Sequence, residues 1–170
     1  MAGPDKYFGK YRGTVVQNVD PMQMGRLQAQ VPDVLGEMPS SWAMPALPLA
    51  GPQMGHYAVP MVGSGVWIEF EQGDKNYPIW TGCFWGSAAE VPVLALAGVP
   101  TAPNVVLQTL GQQTIVLSDL LGGPGITLKN RAGAMLVIND AGILITNGKG
   151  ATITLAGTSV VVNNGALIVT

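Results

Sequence analysis

The C-terminal part of the chain repeats a short pattern of apolar and polar positions. In each copy two aliphatic residues flank one intervening residue, and in all but the last copy Asn, Asp or Gly follows within the next positions. The copies begin about seven or ten residues apart, which is too short for a helical repeat and suits one β-strand plus a tight corner. The paired residues are Ile115 and Leu117, Ile126 and Leu128, Leu136 and Ile138, Ile143 and Ile145, Ile153 and Leu155, Val160 and Val162, and Leu167 and Val169.

A strand this short cannot bury its apolar face unless it stacks on copies of itself. The repeat therefore predicts a β-helix or β-prism, with the paired residues as its core. The intervening positions vary, as at Thr127, Leu144 and Val161, and are expected to face outward or toward neighbours. The Asn, Asp and Gly residues tolerate positive φ and are expected at the corners.

The N-terminal half alternates apolar and polar residues in shorter runs, and the chain there reads as a series of strands. The predicted strands cover residues 11–19, 25–31, 65–71 and 78–85. Two of them carry an apolar face, formed by Leu27, Ala29 and Val31 and by Val66, Ile68 and Phe70. The Pro-rich segment 39–52 is expected to be a surface loop or an edge. About five short strands without helical periodicity predict a small closed barrel.

The low content of charged residues indicates that the chain buries more apolar surface than a monomer of this size could bury. Only 11% of the residues are charged, against about 25% in typical soluble domains. The chain is therefore expected either to bury much of itself against other chains or to enter a membrane. The uncharged stretch 150–170 is about long enough for one membrane span. It carries Asn163 and Asn164 in strand-like alternation, so burial between chains is the preferred interpretation.

Two groups of motifs follow one another along residues 10–86. The first contains Tyr11-Arg-Gly-Thr-Val and Gly25-Arg-Leu-Gln-Ala-Gln-Val-Pro, and the second contains Val66-Trp-Ile-Glu-Phe-Glu-Gln-Gly-Asp and Tyr77-Pro-Ile-Trp-Thr-Gly. In their order they resemble the oligosaccharide/oligonucleotide-binding (OB) barrel of phage baseplate assembly protein V and of the valine–glycine-repeat spike proteins of type VI secretion. A β-helix after the barrel is also the arrangement of that family.

The resemblance implies an all-β fold in which an N-terminal OB-fold barrel is followed by an intertwined, trimeric, triangular β-helix. The expected divisions are an N-terminal arm (1–10), the barrel (11–86), a linker (87–104) and the β-helix spike (105–170). Three chains would form a homotrimer whose core contains the paired residues of the repeat. Sharing the strands over three faces gives a rod roughly 40 Å long.

The implied function is that of a non-enzymatic central spike in a contractile injection apparatus, either a phage tail baseplate or a related particle. The spike would pierce the target envelope when a sheath contracts and would touch the membrane only then. The barrel end is expected to dock on a trimeric baseplate hub. Leu167, Ile168, Val169 and Thr170 are expected to seat a small tip protein similar to the Pro-Ala-Ala-Arg-repeat proteins. No signal peptide is expected, so assembly would take place in the bacterial cytoplasm.

The candidate chemistry is sparse, and no catalytic residue, cofactor or metal site is predicted. His56 is the only histidine and has no acidic neighbour in sequence, so it is expected in a loop or at a trimer contact. Glu69 and Glu71 would lie together on the solvated face of one strand. Cys83 lies in an apolar run and is expected to be a buried structural thiol. The glycines at 122–125 lack a following Lys-Ser/Thr and predict a turn.

Two other functions compete with the spike. An OB-type binding module for single-stranded nucleic acid or glycan would use Trp42, Trp67, Trp80 and Trp85 as stacking surfaces. The net charge of −2 and the scattered Lys and Arg residues argue against a nucleic-acid partner. An acyltransferase on a left-handed β-helix would need a hexapeptide period and a histidine near the coils, and the sequence has neither.

Overall fold

The structure is a computed structural model and describes residues 5–169. The chain divides into two compact units, residues 1–88 and 89–170. Both units are built from β-strands, and their helices are short. Within residues 5–169, no helix combines the length and the apolar character that crossing a bilayer requires.

The first unit contains one main sheet and a small hairpin. The sheet consists of β1 (Tyr11–Gln17), β2 (Gln28–Gln30), β3 (Met44–Pro45), β6 (Gly65–Phe70) and β7 (Pro78–Phe84). The hairpin is β4 (Ala50–Gly51) with β5 (Met54–Gly55). The helical segments are α1 (Pro32–Leu35) and a 3-10 turn at Glu71–Gly73.

The main sheet closes on itself as a barrel. Its order is β2-β1-β6-β7-β3, with all pairs antiparallel except β3, which runs parallel to β7. Single bridges join Leu27 to Ala43 and Gln30 to Pro39, and these bridges connect the segment before β3 back to β2. This closure removes the free sheet edges that an open sheet would leave. The predicted small closed barrel is confirmed.

The alternating faces predicted for the barrel strands form its core. Leu27, Ala29 and Val31 are fully buried, as are Val66 and Ile68. They pack in one cluster with further apolar side chains of the barrel, namely Val15, Ala43, Phe70 and Trp80. Burying aliphatic side chains stabilises a fold by about 1.5–3 kcal/mol each, so this cluster stabilises the barrel within a single chain.

Two predictions for single barrel residues are wrong. Strand β6 ends at Phe70, so Glu71 begins the 3-10 turn and does not share a strand face with Glu69. Cys83 is exposed. Its register partner Val66 is buried, and directly opposite residues share one face of a sheet. Cys83 therefore lies on the inner face, but close to the end of β7, where it is open to solvent. Partial burial nevertheless raises the pKa of its thiol.

The second unit contains one antiparallel sheet of eight strands. Its strands are β8 (Val105–Gln108), β9 (Thr114–Leu117), β10 (Ile126–Lys129), β11 (Met135–Asn139), β12 (Gly142–Thr146), β13 (Thr152–Ala156), β14 (Ser159–Val162) and β15 (Leu167–Val169). Each strand pairs with the next along the chain, which leaves β8 and β15 at the two ends of the sheet. A 3-10 turn at Val93–Ala95 precedes the sheet.

The repeat thus forms strands and corners as predicted, although a β-helix is not shown. All eight strands pair within one chain, because short corners return the chain to its previous strand. A β-helix shared by three chains stays a prediction.

Two mechanisms shape the corners. Asn163 and Asn164 adopt positive φ, as does Gly142. By contrast, the side-chain oxygens of Asn130 and Asn147 accept backbone N–H groups of Ala134 and Ala151 at 2.9 and 3.1 Å.

Candidate functional site

Two rows of aliphatic side chains cross the eight-stranded sheet from end to end. Residues directly opposite each other in successive strands continue each row without a register shift. The first row is Val105, Leu117, Ile126, Ile138, Ile143, Leu155, Val160 and Val169. The second row is Leu107, Ile115, Leu128, Leu136, Ile145, Ile153, Val162 and Leu167. Both rows lie on one face because residues two apart in a strand point the same way. We call this surface the two-row face.

The two-row face is largely open to solvent in the single chain. Leu107 is 65% exposed, Ile145 45% and Leu167 57%. Leu136, Ile143, Val160 and Val162 are half-buried. Monomeric proteins rarely expose contiguous apolar patches of more than a few hundred Å², and larger ones mark interaction sites. The two-row face therefore has the character of an interface.

The opposite face of the sheet differs in chemistry. It carries one central row in which Val116, Val137 and Leu144 are interspersed with Thr127 and Thr154. Val116 and Thr127 are buried, and the Thr127 hydroxyl donates to the Pro124 carbonyl at 3.0 Å. Polar residues flank this row at several strand ends, among them Lys129, Thr146 and Ser159, so this face can meet water.

All fourteen residues predicted as the trimer core lie on the two-row face. In the single chain none of them is fully buried, and their burial in a trimer stays a prediction. Sequence reasoning missed Val105 and Leu107, which begin the two rows on β8. The signal was present, because Val105 and Leu107 flank one residue as the other pairs do. Gln108 and Thr109 follow them where all other copies but the last have Asn, Asp or Gly, so this copy departs from the repeat pattern.

The residues predicted to seat a tip protein lie on the last strand. Strand β15 pairs with β14 on one side, and Leu167 and Val169 are more than half exposed. Ile168, between them, is the register partner of Val161. Thr170 lies outside the described residues.

An ion pair holds the loop between β1 and β2 of the barrel. The Arg26 side chain donates to Asp20 at 2.7 Å, and the backbone N–H groups of Met22, Met24 and Arg26 donate to the same carboxylate at 2.9, 2.8 and 3.2 Å. The Arg26 guanidinium holds the pKa of Asp20 far below its usual range, and the backbone donors act in the same direction. The Asp20 side chain is 3% exposed. The sequence indicated only a turn here, because Asp20-Pro21 is a turn signal.

The barrel aromatics proposed for stacking are mostly occupied within the chain. Trp80 is buried, and its indole N–H donates to the Gly25 carbonyl at 3.1 Å. The Arg26 guanidinium lies 5.5 Å from the Trp42 ring centroid, and that of Arg12 lies 5.2 Å from Trp67. Trp85 is the tryptophan that remains mainly exposed, at 62%. This arrangement does not favour a stacking platform for nucleic acid or glycan.

The other candidate residues are dispersed. His56 is exposed in the segment after β5, where its backbone N–H donates to the Leu49 carbonyl at 2.9 Å. Glu69 accepts a hydrogen bond from Lys10 at 2.7 Å on the outside of the barrel. Among residues 5–169, no three His, Cys, Asp or Glu side chains are grouped so that they could hold a metal ion.

Comparison with known protein families identifies both units. Residues 11–85 match the type VI secretion system/phage-baseplate injector OB domain. Residues 104–168 match the phage baseplate V C-terminal trimerisation domain. None of the curated proteins compared with the chain matches it. The OB fold predicted from the motifs is confirmed, and the trimerisation domain supports a homotrimer formed through the unit that carries the two-row face.

Proposed function

Because this chain belongs to the phage baseplate V family, we propose that it is the central spike of a contractile injection apparatus, a rigid trimer that pierces the target envelope on sheath contraction. The two-row face carries this proposal. Its sixteen aliphatic residues are in register over all eight strands, on a domain whose family trimerises. The role is mechanical and needs no catalysis.

Three sheets would pack their two-row faces together around a common axis. Seven of the eight strands have four or five residues, which gives each face a width of roughly 15 Å, and eight strands stack to a length of about 38 Å. The strands then lie across the axis, so their hydrogen bonds run along it. Such a rod resists compression and bending, which is the property that piercing requires. Burial of the rows would also account for the low charge content of the chain.

The packing is tested by introducing a carboxylate on either side of the sheet. I145D would bury a charge in the centre of the rod, and each buried unpaired ion costs several kcal/mol. A156D is the matched control, because Ala156 is exposed on the other face of the same sheet. We expect A156D to remain trimeric and I145D to lose the trimer in light scattering. Trimers of equal stability for both variants would contradict the proposed packing.

The place of the chain in the apparatus needs a separate experiment. Particles of the source apparatus would be purified from cells that express the chain with an N-terminal tag. Gold labelling of the tag in electron microscopy is expected at one end of the particle, at the baseplate. Label along the tube, or tag absent from intact particles, would contradict a baseplate spike. Particles assembled in the cytoplasm would also carry the label before lysis.

We also propose that a small tip protein covers the end of the sheet at β15. The support is physical: an edge strand with unpaired backbone groups and exposed Leu167 and Val169 tends to pair with another chain unless it is covered. A Pro-Ala-Ala-Arg-repeat protein would be co-expressed with the intact chain and with a form that lacks residues 165–170. We expect capture only by the intact chain. Equal capture by both forms would argue against this docking place.

The spike is also proposed to attach to a trimeric hub through the barrel. The barrel exposes apolar side chains in the loop that Asp20 holds, where Val19 is 74% and Met22 62% exposed. Replacing both by Asp is expected to weaken capture of the hub and to leave the trimer intact. Unchanged capture would place the hub contact elsewhere on the barrel.

A further inference from the structure

The charged residues of the eight-stranded sheet are separated by sign onto its two lateral edges. Corners alternate between these edges because consecutive strands are antiparallel. We call the edge formed by corners 118–125, 140–141 and 157–158 the acidic edge, since its charged residues are Asp119 and Asp140. The basic edge is formed by corners 109–113, 130–134, 147–151 and 163–166, and its charged residues are Arg131 and Lys149.

These four side chains are available for contacts with another molecule. All four are exposed in the single chain. The ion pairs Lys10–Glu69 and Arg26–Asp20 both lie in the barrel, and none of the four is ion-paired within residues 5–169. Lys129, the last residue of β10, adds a positive charge beside the basic edge. Neither edge carries a charge of the opposite sign.

The corners of the two edges also alternate in level along the stack of strands. Acidic-edge corners follow β9, β11 and β13, whereas basic-edge corners follow β8, β10, β12 and β14. Neighbouring levels differ by one strand spacing, about 4.8 Å. The corner with Arg131 therefore lies between the levels of Asp119 and Asp140. Asp140 in turn lies between the levels of Arg131 and Lys149.

A closed three-membered ring brings different edges together. In a ring of three identical chains every contact is heterologous, so one edge of each chain meets the opposite edge of the next. Corners that alternate in level can then interdigitate. Long-range charge complementarity of this kind sets register and excludes wrong pairings more than it adds affinity. If two acidic edges or two basic edges met, charges of the same sign would face each other and repel.

We propose that the acidic and basic edges are the two halves of the contact between neighbouring chains, in which Asp119 and Asp140 of one chain pair with Arg131 and Lys149 of the next. The inference rests on the proposed packing of three sheets around an axis. The two-row face holds the chains together, and the edges determine which edge meets which and at what level. Each chain then contributes one acidic and one basic edge to the ring.

Charge exchange between the edges tests the proposal. The variant D119K/D140K/R131E/K149E exchanges the signs of the four corner charges, keeps the net charge and leaves Lys129 unchanged. It is expected to form homotrimers, since each of its edges still meets one of opposite sign. In a trimer that contains both variant and wild-type chains, however, some neighbouring edges would carry charges of the same sign and repel each other. Co-expression with two different tags should therefore give separate trimers, with at least a tenfold deficit of mixed trimers against statistical assortment.

The control is a chain with two exchanged charges on the barrel, D33K/K75E. Asp33 and Lys75 are both exposed, and this exchange also keeps the net charge. We expect this control to mix statistically with the wild type. Sorting by the edge variant should weaken as salt screens the charges.

The outcomes separate the two proposals. If both chains form trimers and mix statistically at low salt, the edge pairing is overturned while the proposed packing stands. If the wild type forms no trimer, the packing itself fails, and the edge pairing fails with it. Half-exchanged variants such as R131E/K149E, in which all four corner charges are negative, are expected to require at least about tenfold higher concentration to trimerise.

Discussion

At the scale of single residues, Asp20 shows how a loop without regular structure is fixed. One carboxylate accepts three backbone N–H groups and the guanidinium of Arg26. Charge-assisted hydrogen bonds of this kind are stronger than neutral ones. Because the same guanidinium contacts the ring of Trp42, the loop is also fastened to the neighbouring segment of the barrel.

We expect the stability of the barrel to depend on Asp20 at neutral pH. The pKa of Asp20 is depressed in the folded state, so its contribution is fully present above the unfolded value of about 3.9 and is lost as the pH falls below it. D20N should lower the melting temperature at pH 7, with a difference from the wild type that shrinks below about pH 4. D33N, at an exposed position, is the control. An equal difference at pH 7 and pH 3 would contradict this role.

A second residue-scale prediction concerns Gly142 at the corner between β11 and β12. Its φ is +135°, and a Cβ there would overlap the carbonyl oxygen of Leu155. Gly150 is the control, because its φ is +102° and a Cβ added there would have no neighbouring atom within 4 Å. Strained backbone alone costs about 1–3 kcal/mol, so G150A should fall in that range and G142A beyond it in denaturant unfolding. Equal losses would mean that the corner can relax.

The environments of single residues could be predicted from the sequence only in part. The corner glycines and the turn at Asp20-Pro21 follow from local preferences. The convergence of three N–H groups on Asp20, and its pairing with Arg26 six positions away, depend on the path of the loop. The exposure of Cys83 likewise depends on how far the rest of the barrel covers the end of β7, and an apolar run does not reveal this.

At the scale of elements, the two units differ in where their apolar residues are buried. The barrel has its own core, in which Leu27 and Ile68 are fully buried. In the sheet, Val116 is the buried apolar residue within the described range. We therefore expect the barrel to be stable within one chain and the sheet to depend on burial against other chains.

This difference predicts two unfolding transitions. The transition of the sheet should move to higher temperature as protein concentration rises, because association stabilises it by mass action, and that of the barrel should not move. Calorimetry over a hundredfold concentration range measures both. One transition independent of concentration would contradict the division.

The barrel transition can be assigned by a core substitution. L27A removes a fully buried side chain from the barrel and should cost about 2–5 kcal/mol. Only the concentration-independent transition should shift. A shift of the other transition instead would reverse the assignment of the two units.

The strands were predictable because alternation is a local signal. The faces formed by Leu27, Ala29 and Val31 and by the repeat pairs follow from the sequence directly. Closure of the barrel through the Leu27–Ala43 bridge joins distant segments and required the structure. Periodicity says which residues share a face. It does not say whether the neighbouring strand belongs to the same chain, and so the repeat alone could not separate a sheet from a shared β-helix.

At the scale of the whole molecule, the central claim is that three chains bury their two-row faces together. The family of the C-terminal unit trimerises, and the face is aliphatic at every position of both rows. The proposed spike function rests on the stiffness expected of such a trimer. We propose that the hub attaches through the barrel and the tip protein at β15.

The most direct test is the absolute mass of the purified chain, measured by light scattering over a dilution series. We expect three times the 17.7 kDa mass of one chain, persisting on dilution into the nanomolar range. A stable, well-behaved monomer at micromolar concentration would contradict the account, because the two-row face would then be exposed in the working protein.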